Sequence, residues 1–275
     1  MSDMWKNQQI QRIGGHPSTA LDDTYTLDTK EVLKEAWDMV RTTKAPFLMA
    51  TFIIYVIALA SSFVFPALDI DVNDPNALDA ITLPVVLGQF ALQVITAILF
   101  AGMISMGLRN AVRGQRAENG ARAIAPNNTP MMVFEHFPTA WPLVVFELIK
   151  AVAVLALAAL GLLLANNLGV SLNALMFLWI FIAMTFSLGL IFSVQLIIQD
   201  KLSPVKAIRV SLTVVFRRFF TFLPLYAFMT LLAVASVFTF FIGFIWVIPL
   251  FFNMKGILYR EIFGIEAPVT NGEDS

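Results

Sequence analysis

The chain contains no cysteine, only two histidines, and charged residues at 13% of its 275 positions. The missing cysteine excludes disulfides, thiolate nucleophiles and cysteine-ligated zinc or iron–sulfur centres. Of the two histidines, His16 lies in a polar stretch and His136 stands without a second ligand nearby, so neither haem nor a metal is expected. No Walker A loop, dinucleotide fingerprint, HExxH or serine elbow is present. The expectation is a protein that is not an enzyme and carries no cofactor.

What the chain has instead is apolar surface. Hydrophobic residues make up 58% and mean hydropathy is +0.78, where a soluble domain carries about 25% charged residues. This describes an integral membrane protein. Spanning helices need about 20 apolar residues each, and the apolar runs predict six of them in one all-α polytopic bundle.

Charge placement predicts orientation. Lys6, Arg12, Lys30, Lys34, Arg41 and Lys44 precede the first apolar run; Arg109, Arg113, Arg116 and Arg122 follow the second; Lys201, Lys206, Arg209, Arg217 and Arg218 lie between the fourth and fifth; Lys255 and Arg260 sit late in the sixth. The connections at 68–83, 166–171 and around Gly243 contain neither Lys nor Arg. By the positive-inside rule both termini are cytoplasmic. The polar start, MSDMWKNQQI, does not read as a cleavable signal peptide.

Three stretches have the pattern of a surface helix followed by a proline and a span. In QLIIQDKLSPVKAIRVSLTVVFRRFFTFLPLY, Ser203 and Pro204 mark a helix start. Val205, Ile208, Leu212, Val215 and Phe219 then recur at helical spacing opposite Lys206, Arg209, Thr213 and Arg217. Such a helix suits the headgroup plane, with Lys206, Arg209, Arg217 and Arg218 meeting anionic lipid or a partner. Asp28 with Glu31 has capping-box spacing ahead of a stripe of Val32, Leu33, Ala36, Trp37 and Val40, and Pro46 heads the first span. VFEHFPTAWPLVVF at 133–146 matches VFRRFFTFLPLYAF at 215–228 position for position at Val, Phe, Phe, Thr, Pro, Leu and Phe. The expected architecture is three hairpins, each preceded by an amphipathic interfacial helix, with 27–264 as the membrane domain and flexible tails at 1–26 and 265–275. Such a repeat is either ancestral or convergent.

Inside the spans, Gln89, Gln93, Ala97, Ala101 and Ser105 recur every four residues, and the fourth span repeats the idea with Ala183, Ser187, Gln195 and Gln199. These faces suit helix packing or a hydrophilic path. Glu147 and Lys150 stand three apart, within reach of each other. Gln89, Gln93, Glu147, Lys150 and Gln195 are therefore the candidate intramembrane polar site. The acidic loop with Asp69, Asp71, Asp74 and Asp79 lacks the glycine and closing glutamate of a calcium loop and reads as a solvated hairpin. The arginines of RNAVRGQRAENGARAIAPNNTP have no interleaved aromatics, which points to anionic headgroups rather than nucleic acid.

QDKLSPVKAIRVS at 199–211, GLRNAVRGQ after the second span and PLFFNMKGILYREIFG at 249–264 resemble the YciC-like bacterial inner-membrane proteins, and the related membrane domains of some glycerophosphodiester phosphodiesterases. The resemblance implies six spans in a bacterial inner membrane and no phosphodiesterase activity, since no catalytic domain is present. The expected function is a non-enzymatic membrane component that organises, assembles or regulates a partner complex, another copy of itself or the envelope. The alternative is a transporter or export permease for a small molecule or lipid.

Overall fold

The computed structural model describes residues 9–64, 82–168 and 172–270. The acidic loop containing Asp69, Asp71, Asp74 and Asp79 falls outside these residues.

The chain is mostly helical. A short strand β1 (Gln9–Ile13) leads into α1 (Pro17–Asp22). His16 caps α1: its Nδ1 accepts from the Ser18 amide at 3.3 Å, while Thr19 Oγ1 accepts from the His16 amide at 3.3 Å. The long helix α2 (Thr29–Val64) follows, capped by Asp28 Oδ1, which accepts from the amides of Lys30 and Glu31. The expected surface helix and first span are thus one continuous helix with Pro46 inside it. Proline removes one helical hydrogen bond, but neighbouring residues hold the helix on course. Phe47 stacks on Phe252 at 5.6 Å and Thr43 accepts a hydrogen bond from Asn253.

After α3 (Leu83–Val112) comes a loop holding the two-residue strand β2 (Arg122–Ala123). Two short 3-10 turns, Pro130–Phe134 and Phe137–Thr139, stand where the second amphipathic helix was expected, and α4 (Trp141–Leu168) starts directly after them. Pro130, Pro138 and Pro142 fall too close together for a continuous α-helix to carry its amide ladder.

The fourth apolar run is broken into α5 (Leu172–Gly189) and α6 (Ser193–Ile198). Ser211 on α7 (Pro204–Arg217) serves the break: its hydroxyl donates to the Gly189 carbonyl at 2.7 Å and accepts from the Phe192 amide at 3.1 Å. Such freed backbone groups need partners inside an apolar bundle. Helix α8 (Phe219–Phe238) and helix α9 (Phe244–Phe263) complete the bundle, joined by a turn in which Phe240 and Phe241 take positive φ.

Among the described residues, five stretches are long and apolar enough to cross a membrane: Thr29–Ser61, Leu83–Val112, Trp141–Gly161, Phe177–Ile198 and Phe219–Phe238. No more than 33% of any of their most apolar windows is buried inside the protein. Phe52, Tyr55, Phe63, Val152, Leu155, Phe177, Phe181, Leu231 and Phe238 all point outward. An apolar surface of that extent is solvated by lipid. Helix α9 has the opposite character, since Phe252, Asn253, Met254, Ile257, Leu258, Tyr259, Ile262 and Phe263 are buried against its neighbours. It packs on α2, α3 and α8 and forms the axis of the bundle.

The sequence reading leaves tails at 1–26 and 265–275, but much of both is regular structure. Strand β3 (Ile265–Thr270) pairs antiparallel with β1, Ile13 opposite Ile265, and on its other edge with β2, Arg122 opposite Thr270. Ile265, Ala267 and Val269 alternate inward with Ile13 and Ala123 beneath the sheet. Residues 9–13 and 265–270 therefore meet at the end of the bundle where α3 finishes. The alternation IEAPVT spans only six residues and contains a proline, which hid it among tail residues.

Candidate functional site

Three of the five intramembrane candidates come together. Glu147 on α4 is buried, its Oε2 accepting from Gln93 Nε2 on α3 at 2.8 Å and its Oε1 from Lys150 Nζ at 2.7 Å. Lys150 also lies 5.1 Å from the Phe146 ring centroid. One carboxylate thus takes one ammonium and one amide donor, so the set is internally neutral and pins α3 to α4. Gln89 is half-buried one turn further along α3.

Gln195 stands apart on α6. It is fully buried, and neither its amide nitrogen nor its carbonyl oxygen has a hydrogen-bond partner; the neighbouring Ser193 hydroxyl is in the same condition. Two unpartnered polar side chains immediately after a broken helix are costly in an apolar interior.

The four cationic candidates at α7 divide. Lys206 and Arg209 are exposed. Arg217 and Arg218 hold the N-terminal segment: Arg217 donates to the Leu21 carbonyl, and Arg218 donates to the Asp23 carboxylate and carbonyl. The Arg218 guanidinium also lies 4.0 Å from the Tyr25 ring centroid. Burial pushes the Tyr25 phenol up to about 12, with Arg218 opposing and Asp23 reinforcing the shift. The buried stripe of α7 is Ala207, Ser211, Val214 and Val215, so Val205 faces outward rather than in.

Two further polar assemblies were not anticipated. Thr43, Asn253, Asn110 and Asn128 form a chain of side-chain hydrogen bonds, each 2.9 Å, that ties α2, α9, α3 and the following loop together. At the end of the bundle, Arg260 grips Glu35 with two parallel bonds, Nη1 to Oε1 at 2.7 Å and Nη2 to Oε2 at 2.8 Å, and also donates to Glu261 and the Ala111 carbonyl. The available signal was an Asn and an Arg embedded in the apolar run FFNMKGILYR, since polar groups there need partners. Nearby, Arg12 donates to the Phe263 carbonyl, Asp200 and Glu266, while the Tyr259 hydroxyl donates to Asp200.

Beside the Arg260–Glu35 pair opens a cavity of about 760 Å³, bordered by Asp28, Glu31, Glu35, Asp38, Glu261 and Lys34 among others. None of the intramembrane candidates lines it. Among the described residues, no cluster of three or more His, Asp or Glu is arranged to hold a metal ion.

His136 shares a 2.6 Å hydrogen bond with Ser105, one turn from Arg109, whose guanidinium pairs with Glu135 at 2.6 Å. Burial lowers the His136 pKa, with Glu135 opposing and Arg109 reinforcing that shift. A neutral imidazole accepting from a serine hydroxyl is the arrangement this favours.

Compared with known proteins, the chain matches no family model, no curated protein and no solved structure.

Proposed function

We propose that this is a non-enzymatic, multi-pass inner-membrane protein that organises or regulates a membrane partner, presenting one built end of its bundle to it. The observation that carries this reading is the position of the open acidic cavity. It lies beside the Arg260–Glu35 pair, near the end where β1, β3 and the loop after α3 assemble, and apart from the intramembrane polar residues. Glu147 is matched by donors from Gln93 and Lys150, as at a packing seam between α3 and α4. Here α9 counts as the sixth crossing, the helices run as hairpins, and the end bearing β1 and β3 is cytoplasmic, a reading supported by the Lys and Arg distribution. The likeness to YciC-like proteins belongs to the same proposal.

The test is composition of the particle. The full chain is extracted in native lipid nanodiscs and weighed by mass spectrometry. A stoichiometric protein partner that is lost on Glu31→Lys with Asp38→Lys supports the reading. Solute flux in proteoliposomes that depends on Gln93 or Lys150 overturns it.

Transport is the second reading, and one observation favours it. The break between α5 and α6, with Gln195 unpartnered beside it, is the kind of discontinuity at which transporters place binding groups.

A further inference from the structure

Lys255 is the exception among the cations of this protein. Among the described residues, every other Lys or Arg without a carboxylate partner is exposed, but Lys255 is half-buried on α9. Among the described residues, no carboxylate or hydrogen-bond acceptor meets it there, and its ammonium has the Phe251 ring, 5.6 Å from the centroid. A cation–π contact alone is a weak substitute for water around an ammonium.

A second unsatisfied donor borders the same ring. Tyr226 on α8 packs edge-on against Phe251, with ring centroids 6.3 Å apart, and its hydroxyl is buried without a partner. At 1.5 Å per residue, Lys255 lies about 12 Å before the end of α9 and Tyr226 about 10 Å after the start of α8. The two helices run antiparallel across a short turn, so both donors sit at one level. The Phe47–Phe252 stack and the Asn253–Thr43 bond set this level of α9 beside the stretch of α2 where Lys44 gives way to the apolar run from Phe47, the change from charged to apolar sequence at which a spanning helix meets the headgroup region. Leu223, one turn before Tyr226 on α8, is exposed and offers apolar surface to acyl chains.

We propose that Lys255 and Tyr226 mark an anion site on the α8–α9 face, which takes the phosphate group of a membrane lipid. An ammonium and a phenol supply donors and a positive charge, and phosphate supplies several acceptor oxygens. Lys255 is the charge anchor and Tyr226 the orienting donor. The Glu147–Lys150 pair is no rival site, since its ammonium is already neutralised.

The experiment uses the full chain in nanodiscs of phosphatidylcholine alone and of phosphatidylcholine with phosphatidylglycerol, followed by native mass spectrometry. Wild type is expected to retain phosphatidylglycerol at one per chain, at least tenfold over phosphatidylcholine. Lys255→Met is expected to abolish the preference and Tyr226→Phe to reduce it several-fold. In the phosphatidylcholine discs, thermal unfolding is followed with added inorganic phosphate. A rise in Tm with phosphate that Lys255→Met removes, without lipid retention, supports the site but assigns it to free phosphate. Equal retention of both lipids by wild type with no phosphate effect overturns the proposal without any variant, as does a preference that survives Lys255→Met.

Discussion

Gly107 on α3 and Gly256 on α9 lie back to back. A Cβ on Gly256 would run into the Gly107 carbonyl oxygen, and one on Gly107 into the Phe252 carbonyl. The two backbones approach as closely as helices can, which is what small residues permit in a bundle without a strong hydrophobic drive between helices. Gly256→Ala must push α9 away from α3 and disturb the Asn110–Asn253 bond beside the crossing. The expected loss is about 1–3 kcal/mol, measured as a lowered Tm in nanodiscs, whereas Gly114→Ala, with open space around it, is strained by its positive φ alone and loses less.

The Arg260–Glu35 fork links α2 and α9, and the Ala111 carbonyl adds α3 to the same guanidinium. Arg260 is almost fully enclosed, with 7% of its side chain exposed. Glu35→Gln weakens the fork but leaves Arg260 its bonds to Glu261 and the Ala111 carbonyl, so the expected loss is about 1–3 kcal/mol, that of hydrogen bonds to a charged group. Arg260→Lys keeps the charge but loses the parallel bonds and should recover only part of wild-type stability. Equal Tm values for Arg260→Lys and wild type would show that the fork contributes nothing beyond its charge.

Glu147 is expected to depend on both of its donors. Lys150→Met leaves a buried carboxylate with Gln93 alone and should destabilise by more than Glu147→Gln with Lys150→Met together. A coupling of about 1–2 kcal/mol in the double-mutant cycle is expected from residues in direct contact. Additive effects would mean that the ion pair is not made in the bilayer.

Five of the six expected spans were legible, because their apolar runs are long and spans are recognised by length and composition. Pro204 after Ser203 placed the start of α7 correctly, since a proline at the first helical position has a strong local signature. The Gln93–Glu147–Lys150 set was half legible: Glu147 and Lys150 are three apart on one helix, but the Gln93 contact depends on how α3 meets α4. What stayed hidden is long-range. Glu35 and Arg260 are 225 positions apart, and β1 meets β3 across nearly the whole chain. The role of α9 as a buried axis was invisible, because a helix enclosed by protein and one enclosed by lipid can carry the same apolar residues. Proline was misread at Pro46, where packing of Phe47 on Phe252 overrides a local breaker.

Arg218 ties residues 21–25 to the junction of α7 and α8 through Asp23 and the Tyr25 ring. Arg218→Gln removes the ion pair and the cation–π contact at once. The expected result is faster proteolysis at 16–28 with little change in global Tm, because partly exposed pairs contribute about 1 kcal/mol or less. Arg209→Gln, on the exposed side of the same helix, should leave the proteolysis pattern unchanged.

His136 makes stability depend on pH in a defined direction. Its folded pKa lies below the ordinary 6.5 because burial disfavours the imidazolium. The unfolded chain therefore binds the proton more readily, so stability is fully present above about 6.5 and falls as pH drops from there toward the folded value. Protonation also removes the acceptor lone pair that Nε2 can offer the Ser105 hydroxyl. Wild type is expected to lose Tm on going from about pH 7 to pH 5, and His136→Gln, which cannot titrate, to lose less over the same interval. Parallel pH profiles for the two proteins would place the acid sensitivity elsewhere than His136.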